Sequence, residues 1–202
     1  LSLSGPTSFA KLENTGTIKF TSGSNSTWTE TGNKVNDGTI IIGGDDTLVV
    51  VGGGTVTNTA NATIGGNGNI NVSAATGLVN EGLMTPGSEN SGAGGMLNIT
   101  GDFTNASTGT IESRVFGQTD FDKISVTGNV TLAGTLALRR MPGYQYTLTP
   151  TLGGVISGAS IGGTFAFVQA PFAQSATPAY NGSSLDVALA PSGVTVRTVS
   201  YT

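Results

Sequence analysis

The chain has 202 residues, of which 32 are glycine and only 10% are charged, and its net charge is −4. It contains neither histidine nor cysteine, which excludes a Ser-His-Asp triad, a histidine-ligated metal and a thiol nucleophile. The scattered Lys and Arg residues argue against a nucleic-acid surface. Because no run of about 18 apolar residues is present, we predict no membrane-spanning helix.

An asparagine recurs through the first half of the chain at nearly constant spacing. Three intervals of 22 residues and one of 25 separate Asn14, Asn36, Asn58, Asn80 and Asn105. Two residues later stand Gly16, Gly38, Ala60 and Gly82 in the first four copies. An apolar residue closes each copy at Ile18, Ile40, Ile64, Met84 and Ile111. A weaker sixth copy, NVTLAGTLAL (129–138), has Leu in place of the Asn.

Short runs rich in strand-forming residues accompany these asparagines. The runs TLVVV (47–51), NINVS (69–73) and MLNIT (96–100) each follow a glycine-rich or polar turn. Two bare strands cannot bury a core alone, so the copies must stack. We therefore predict an all-β fold, namely a right-handed parallel β-helix (a β-solenoid) with one coil per copy. A jelly roll or sandwich is the rival all-β interpretation.

In such a solenoid, alternate residues of a strand point inward, and equivalent residues of successive coils stack on one another. The recurring asparagines would then form a hydrogen-bonded ladder along one corner of the column. We predict this structural role for all five: Asn14, Asn36, Asn58, Asn80 and Asn105.

The period fails after residue 138. The segment that follows is richer in proline and tyrosine, yet it still reads as strands and turns, ending in SLDVALA and VTVRTVSY. We predict regular coils over residues 1–138, and less regular coils or a β-rich cap over residues 139–202.

Acidic residues provide the remaining candidates for chemistry. Asp45 and Asp46 lie in a turn, where capping of backbone N–H groups is the expected role. Asp120 and Asp122 share a face of an extended stretch, with Glu112 one coil away. Carboxylates that cleave a glycoside need a separation of about 5–9.5 Å. The sequence does not supply that distance, and we predict no catalytic residue here.

Three other features have a functional and a structural interpretation. The segment IGGNGNINV (64–72) resembles a calcium-binding nonapeptide but has Ile70 where that motif needs Asp, so we predict neither metal nor cofactor. Arg139 and Arg140 either bind a sulfate or anionic sugar or are solvated residues where the coils give way to the cap. Trp28 either stacks on a sugar or fills the core, and the second is favoured.

Both terminal segments read as alternating strands with little charge. LSLSG begins the chain and VTVRTVSYT ends it. Uncapped strand edges invite pairing, so we predict association through Leu1, Leu3, Val196 and Val199. The partner is another copy or other segments of a longer chain.

Residues 82–168 resemble the passenger region of bacterial autotransporter and haemagglutinin-like surface proteins. The resemblance rests on GLMTPGSENSGAGGMLNITGDFTNASTGTIESRV, TDFDKISVTGNVTLAGTLAL and GGTFAFV. It implies the last coils of a right-handed β-helix in an extracellular or cell-surface protein. It leaves open whether the chain is a processed subunit or a fragment.

From these observations we expect an extracellular or bacterial cell-surface β-solenoid that is structural or adhesive and not an enzyme. Its expected partners are further copies or other segments of a longer chain, and cell-surface carbohydrate. End-to-end assembly into a filament or surface layer is one form of this expectation. The alternative is a polysaccharide-binding or polysaccharide-cleaving β-helix of the lyase or phage tailspike type.

Overall fold

The computed structural model describes residues 1–21, 23–87, 92–144, 149–171 and 173–192, and these residues contain strands and turns but no helix. The strands are numbered in chain order and form three sheets. Sheet A contains β1 (Ser2–Leu3), β3 (Thr17–Phe20), β6 (Thr39–Ile42), β9 (Thr63–Gly66), β12 (Leu83–Pro86), β15 (Thr110–Val115), β18 (Thr135–Arg140) and β21 (Phe167–Gln169).

Sheet B contains β2 (Ser8–Phe9), β4 (Asn25–Trp28), β7 (Thr47–Val50), β10 (Asn69–Asn71), β13 (Met96–Thr100), β16 (Lys123–Val126), β19 (Thr151–Ser157), β23 (Ser184–Pro191) and, at its edge, β22 (Gln174–Tyr180). Sheet C contains β5 (Lys34–Asn36), β8 (Thr55–Asn58), β11 (Gly77–Asn80), β14 (Phe103–Asn105), β17 (Asn129–Leu132) and β20 (Ser160–Gly163).

From β3 to β21 the chain visits the three sheets in turn, so that each coil adds one strand to each sheet. Within a sheet, successive strands run parallel and in register: Ile18 pairs with Ile40, and Ile40 pairs with Ile64. The predicted all-β fold of stacked parallel strands is confirmed. The rival sandwich does not fit, because its strands would pair antiparallel.

The core runs along the inside of the coils. In sheet A, alternate residues are buried in a continuous column: Ile18, Ile40, Ile64, Met84, Ile111 and Leu136. Corresponding columns in sheets B and C complete one hydrophobic cluster. Burial of each such side chain contributes about 1.5–3 kcal/mol, so stacking makes short strands stable that would be unstable alone.

The third copy departs in one detail from the alignment of the sequence. Ala62, and not Ala60, takes the place of the corner glycine. The Ala62 carbonyl accepts a hydrogen bond from Asn58 Nδ2 at 3.3 Å, as the Gly38 carbonyl does from Asn36 Nδ2 at 3.0 Å. Two extra residues in this turn account for the shift.

The predicted boundary at residue 138 lies inside β18. Beyond it, β19, β20 and β21 add one strand to each sheet and complete a further coil. The chain then reverses: β22 and β23 form an antiparallel pair, and β23 pairs antiparallel with β19. Sheet B therefore ends in a hairpin. The SLDVALA segment lies in β23, whereas VTVRTVSY falls outside the described residues.

Candidate functional site

The five predicted ladder asparagines lie in one hydrogen-bonded row at the corner between sheets C and A. Each of the first four donates its side-chain amide to Oδ1 of the next asparagine along the chain. The distances are 2.8 Å for Asn14 to Asn36, 2.8 Å for Asn36 to Asn58, 2.8 Å for Asn58 to Asn80 and 2.7 Å for Asn80 to Asn105. All five are buried.

Each carboxamide also holds its own turn. Asn36 Nδ2 donates to the Gly38 carbonyl at 3.0 Å and to the Thr63 carbonyl of the next coil at 3.3 Å, while Asn36 Oδ1 accepts from the Gly38 N–H at 3.3 Å. The row is therefore polar, because every Nδ2 points toward the C-terminal coils and every Oδ1 toward the N-terminal ones.

The ladder ends differently at its two ends. At the C-terminal end, Leu132 pairs with Asn105, and Asn105 Nδ2 donates to the carbonyls of Gly109 at 3.0 Å and Ala133 at 2.7 Å. At the N-terminal end, Asn14 Oδ1 accepts from the Gly16 N–H at 3.2 Å. The described residues place no second carboxamide on that oxygen.

Leu1 and Leu3, which the sequence predicts as an association edge, lie at the N-terminal end of the column. Leu1 is 72% exposed, and Leu3 pairs with Phe20. β1 and β2 are the first strands of sheets A and B, so one edge of each is unpaired among the described strands. Val196 and Val199, predicted at the opposite end, lie outside the described residues.

Leu3, Phe9 and Leu12 are half-buried and pack against the core at this N-terminal end. Beside Asn14 a shallow cleft of about 190 Å³ opens between Leu12 and the half-exposed Val35 of β5. The N-terminal coil therefore presents both apolar surface and a cleft.

An exposed ion pair stands next to this cleft. Lys11 and Glu13 are joined by a hydrogen bond. This bond and the attraction between the charges raise the pKa of Lys11 and lower the pKa of Glu13. Both charged forms are favoured, so the rim of the N-terminal end is charged although its centre is apolar.

A buried ion pair on the side of the column lies within one coil and bonds that coil to the preceding one. Asp122 is fully buried, and its Oδ2 accepts from Arg114 Nε at 2.5 Å and from the Arg114 N–H at 3.2 Å. Its Oδ1 accepts from the Gly95 N–H at 2.8 Å and from Arg114 Nη2 at 3.2 Å. Both carboxylate oxygens of Asp122 therefore accept hydrogen bonds, and together these bonds hold the Gly95 turn against β15.

The three carboxylates predicted to share a face have separate partners. Asp120 Oδ1 accepts from the Gly94 N–H at 2.7 Å, and Glu112 pairs with Arg139 at 3.4 Å. Glu112 and Arg139, with Thr85, Arg114 and Met141, line a pocket of about 130 Å³. Arg140 is exposed beside Arg139 at the end of β18.

Other carboxylates fasten neighbouring coils to each other. Asp46 is buried and accepts from the Ser24 N–H at 2.6 Å, whereas Asp45 is exposed. Asp102 Oδ1 accepts from the Asn129 N–H at 2.8 Å, and Asp186 Oδ1 from the Gly154 N–H at 2.7 Å. Across the described ranges, no group of three acidic side chains is placed to hold a metal ion, and Ile70 of the nonapeptide-like segment packs in the core.

The sequence assigned no role to the inward-facing Lys34, and it favoured filling of the core for Trp28, as the structure shows. Lys34 is fully buried, and its Nζ donates to the carbonyls of Gly53 at 2.8 Å and Gly32 at 3.0 Å. Its position two residues before Asn36 was a signal, because that spacing places it on the inward side. Trp28 is fully buried and donates to Glu30 Oε2 at 3.0 Å, so the sugar-stacking interpretation is wrong.

Comparison with known proteins adds no assignment. No protein-family model matches the chain, and no curated protein matches it. In the part of the chain that the structure describes, no helix has the length and apolar character needed to cross a membrane.

Proposed function

We propose that this protein is a structural or adhesive β-solenoid of the bacterial cell surface or extracellular space, wound as a right-handed parallel β-helix, and that it is not an enzyme. The observation that carries the proposal is the use of its buried polar groups. The asparagine ladder, Asp46 and Asp122 bond one coil to the next. Such bonding stiffens a column.

The outer face of sheet A suits contact with a surface. Its outward side chains form a nearly continuous threonine row, beside which runs a groove of about 330 Å³. The row consists of Thr17, Thr39, Thr63, Leu83, Thr110 and Thr135. Hydroxyl groups at the interstrand spacing of about 4.8 Å offer repeated hydrogen bonding to carbohydrate or protein. The resemblance of residues 82–168 to surface-exposed passenger regions supports the proposed location.

Adhesion of coated beads tests this proposal. The chain has no cysteine, so Ser183→Cys in the exposed C-terminal hairpin gives a single attachment point. Beads carrying this variant should be retained under flow on cells or polysaccharide-coated glass. Beads carrying a variant with Thr39→Asp and Thr63→Asp should be released, because the added charges repel anionic surfaces. Equal retention of albumin-coated beads would remove the support for an adhesive role.

The second candidate is a polysaccharide-binding or polysaccharide-cleaving β-helix. The pocket beside the Glu112–Arg139 pair favours it, because an arginine next to a carboxylate can bind an acidic sugar. Incubation with a panel of acidic polysaccharides separates the two. Release of shorter chains by the parent protein, lost in Arg139→Ala, would establish the enzyme and replace the first proposal.

Association end to end belongs to the first proposal. Among the described strands, β1 and β2 leave unpaired edges at the N-terminal end. At the other end, the β22–β23 hairpin closes sheet B, and Pro178 lies in its edge strand. Proline on an edge strand blunts pairing. We therefore propose addition of β-strands at the N-terminal end rather than continuous stacking of copies into a filament.

A further inference from the structure

The corner glycines that follow the ladder are required by the coil before them. A Cβ on Gly38 would lie 2.3 Å from the Gly16 carbonyl oxygen, and one on Gly82 would lie 2.1 Å from the Thr59 carbonyl oxygen. Gly109 and Gly134 would meet backbone oxygens at 2.3 Å in the same way. Backbone cannot move aside as a flexible side chain can, so a Cβ at any of these four glycines would force its turn to change. The corner that carries Ala62 has a turn two residues longer.

Gly16 occupies the same corner in the N-terminal coil, but nothing described there requires it. Apart from Gly16 itself and its two chain neighbours, no atom of the described residues lies within 4 Å of the place where its Cβ would stand. Its φ is not among the positive values that favour glycine. The open space on that side is the space that the preceding coil fills at Gly38, Gly82, Gly109 and Gly134.

The Asn14 side chain at the same corner also has room for a further contact. It is buried, with 5% of its surface exposed, and its Nδ2 is already engaged by Asn36 Oδ1 at 2.8 Å and the Thr39 carbonyl at 3.1 Å. Asn36 Oδ1 accepts from both Gly38 and the preceding carboxamide. Asn14 Oδ1 accepts from Gly16 alone among described groups. A partner on this face can therefore supply the second donor, as Asn14 does for Asn36 Oδ1.

From these observations we infer that the N-terminal end is a docking site for a β-solenoid coil that bears a carboxamide at the ladder position. This inference rests on the proposed function. The coil adds in parallel to β1 and β2. Its Asn Nδ2 donates to Asn14 Oδ1, its corner backbone closes over Gly16, and its inward apolar residues cover Leu3, Phe9 and Leu12.

A second copy of the described chain is a poorer occupant. Stacked head to tail, it would present β20, where Gly163 pairs with Leu132 and so stands at the ladder position without a carboxamide. Stacked head to head, it would place one Asn14 Oδ1 against another, acceptor against acceptor. The chemistry that fits is an Asn-bearing coil of the same repeat.

An added coil tests this inference directly. A duplicate of residues 17–39 joined before Leu1 puts Leu1 where Ile40 stands, so the duplicated Asn36 lies four residues before it, as Asn14 lies four residues before Ile18. The extended chain should melt higher than the parent, by about 3–6 °C for a chain of this size. Circular dichroism measures the melting temperature and checks that each variant is folded.

Two matched changes make the test specific. Leu in place of the duplicated Asn should lose most of the rise, because it offers no donor to Asn14. Gly16→Ala should leave the unextended chain unchanged and abolish the rise in the extended one, because its Cβ then meets the new corner. A rise that survives both changes, or no rise at all, would overturn the inference.

Sedimentation of the unextended chain tests whether a second copy occupies the N-terminal end. Self-association that rises with concentration and is lost in Gly16→Ala would place a second copy on this face and overturn the assignment to an Asn-bearing coil. The melting experiment needs no adhesive surface, and the bead experiment needs no added coil. Failure of the inference and failure of the proposed function are therefore distinguishable.

Discussion

Asn36 Nδ2 donates to Asn58 Oδ1 at 2.8 Å across a separation of 22 residues, and both side chains are fully buried. The bond crosses from one coil to the next at the corner where sheet C gives way to sheet A. Because each of these amides also holds a backbone carbonyl of its own turn, loss of one affects two coils. The ladder thus links local turn geometry to the stacking of the column.

Replacing a ladder asparagine should lower stability. In Asn36→Ala or Asn58→Ala, the neighbouring carboxamides and carbonyls lose their partner while they stay buried, at a cost of about 1–3 kcal/mol. For a chain of this length that cost lowers the melting temperature by roughly 2–4 °C per kcal/mol. Thermal melts followed by circular dichroism measure it.

Asn61→Ala is the matched control for that comparison. Asn61 lies in the same copy as Asn58, but its side chain is exposed and has no hydrogen bond to another described residue. It should melt within about 1 °C of the parent, because exposed substitutions usually have small effects. If Asn58→Ala and Asn61→Ala melt alike, the ladder does not stabilise the column.

A second prediction compares one corner position in two consecutive coils. Gly38→Ala forces its Cβ against the Gly16 backbone, whereas Gly16→Ala places its Cβ in open space. Overpacking costs about 1–3 kcal/mol or more, so only Gly38→Ala should lower the denaturant midpoint. Equal midpoints would mean that the two coils are spaced differently from the structure.

The stacked strands were predictable from the sequence because each coil repeats the same short pattern. A constant interval of 22 residues fixes the register of neighbouring strands, and register fixes which residues lie on one another. The two-residue shift that puts Ala62 at the corner was not predictable, because Ala60 and Ala62 have similar neighbours in TNTANATI. The hydrogen bond from Asn58 Nδ2 to the Ala62 carbonyl identifies the corner residue.

The side of the column was less predictable for a physical reason. Arg114 and Asp122 meet because long turns fold back on β15, and such turns obey no repeat. The antiparallel return of β23 onto β19 likewise follows from the C-terminal turns rather than from a period. Periodicity therefore predicts the coils and their asparagine ladder, and not the insertion where Arg114 meets Asp122.

The buried ion pair should be sensitive to loss of either partner. Arg114→Met removes the guanidinium from the buried Asp122, and Asp122→Leu removes this carboxylate from Arg114 and also frees the Gly95 N–H. Removing one partner of a buried pair costs about 3–5 kcal/mol. Urea unfolding of each variant measures the change.

The double variant and an exposed pair provide the controls for the ion pair. Arg114→Met with Asp122→Leu should lose much less than the sum of the single changes, because no uncompensated charge remains. Arg139→Ala removes the exposed partner of Glu112 and should cost at most about 1 kcal/mol. Strict additivity in the double variant would contradict a coupled pair.

The last prediction concerns the free edge of β1. Leu1 and Leu3 provide the carbonyls that bond β1 to β3, at 2.8 Å each, so the Ser2 N–H points toward the open edge. Ser2→Pro with Ser4→Lys should therefore block docking of a labelled peptide of residues 17–39, measured by fluorescence anisotropy, and leave the melting temperature unchanged. Proline removes the edge donor, and lysine disfavours edge pairing. Ser2→Thr with Ser4→Thr keeps both N–H groups and should bind the peptide as the parent does. Undiminished binding by the Pro–Lys variant would show that the peptide docks elsewhere.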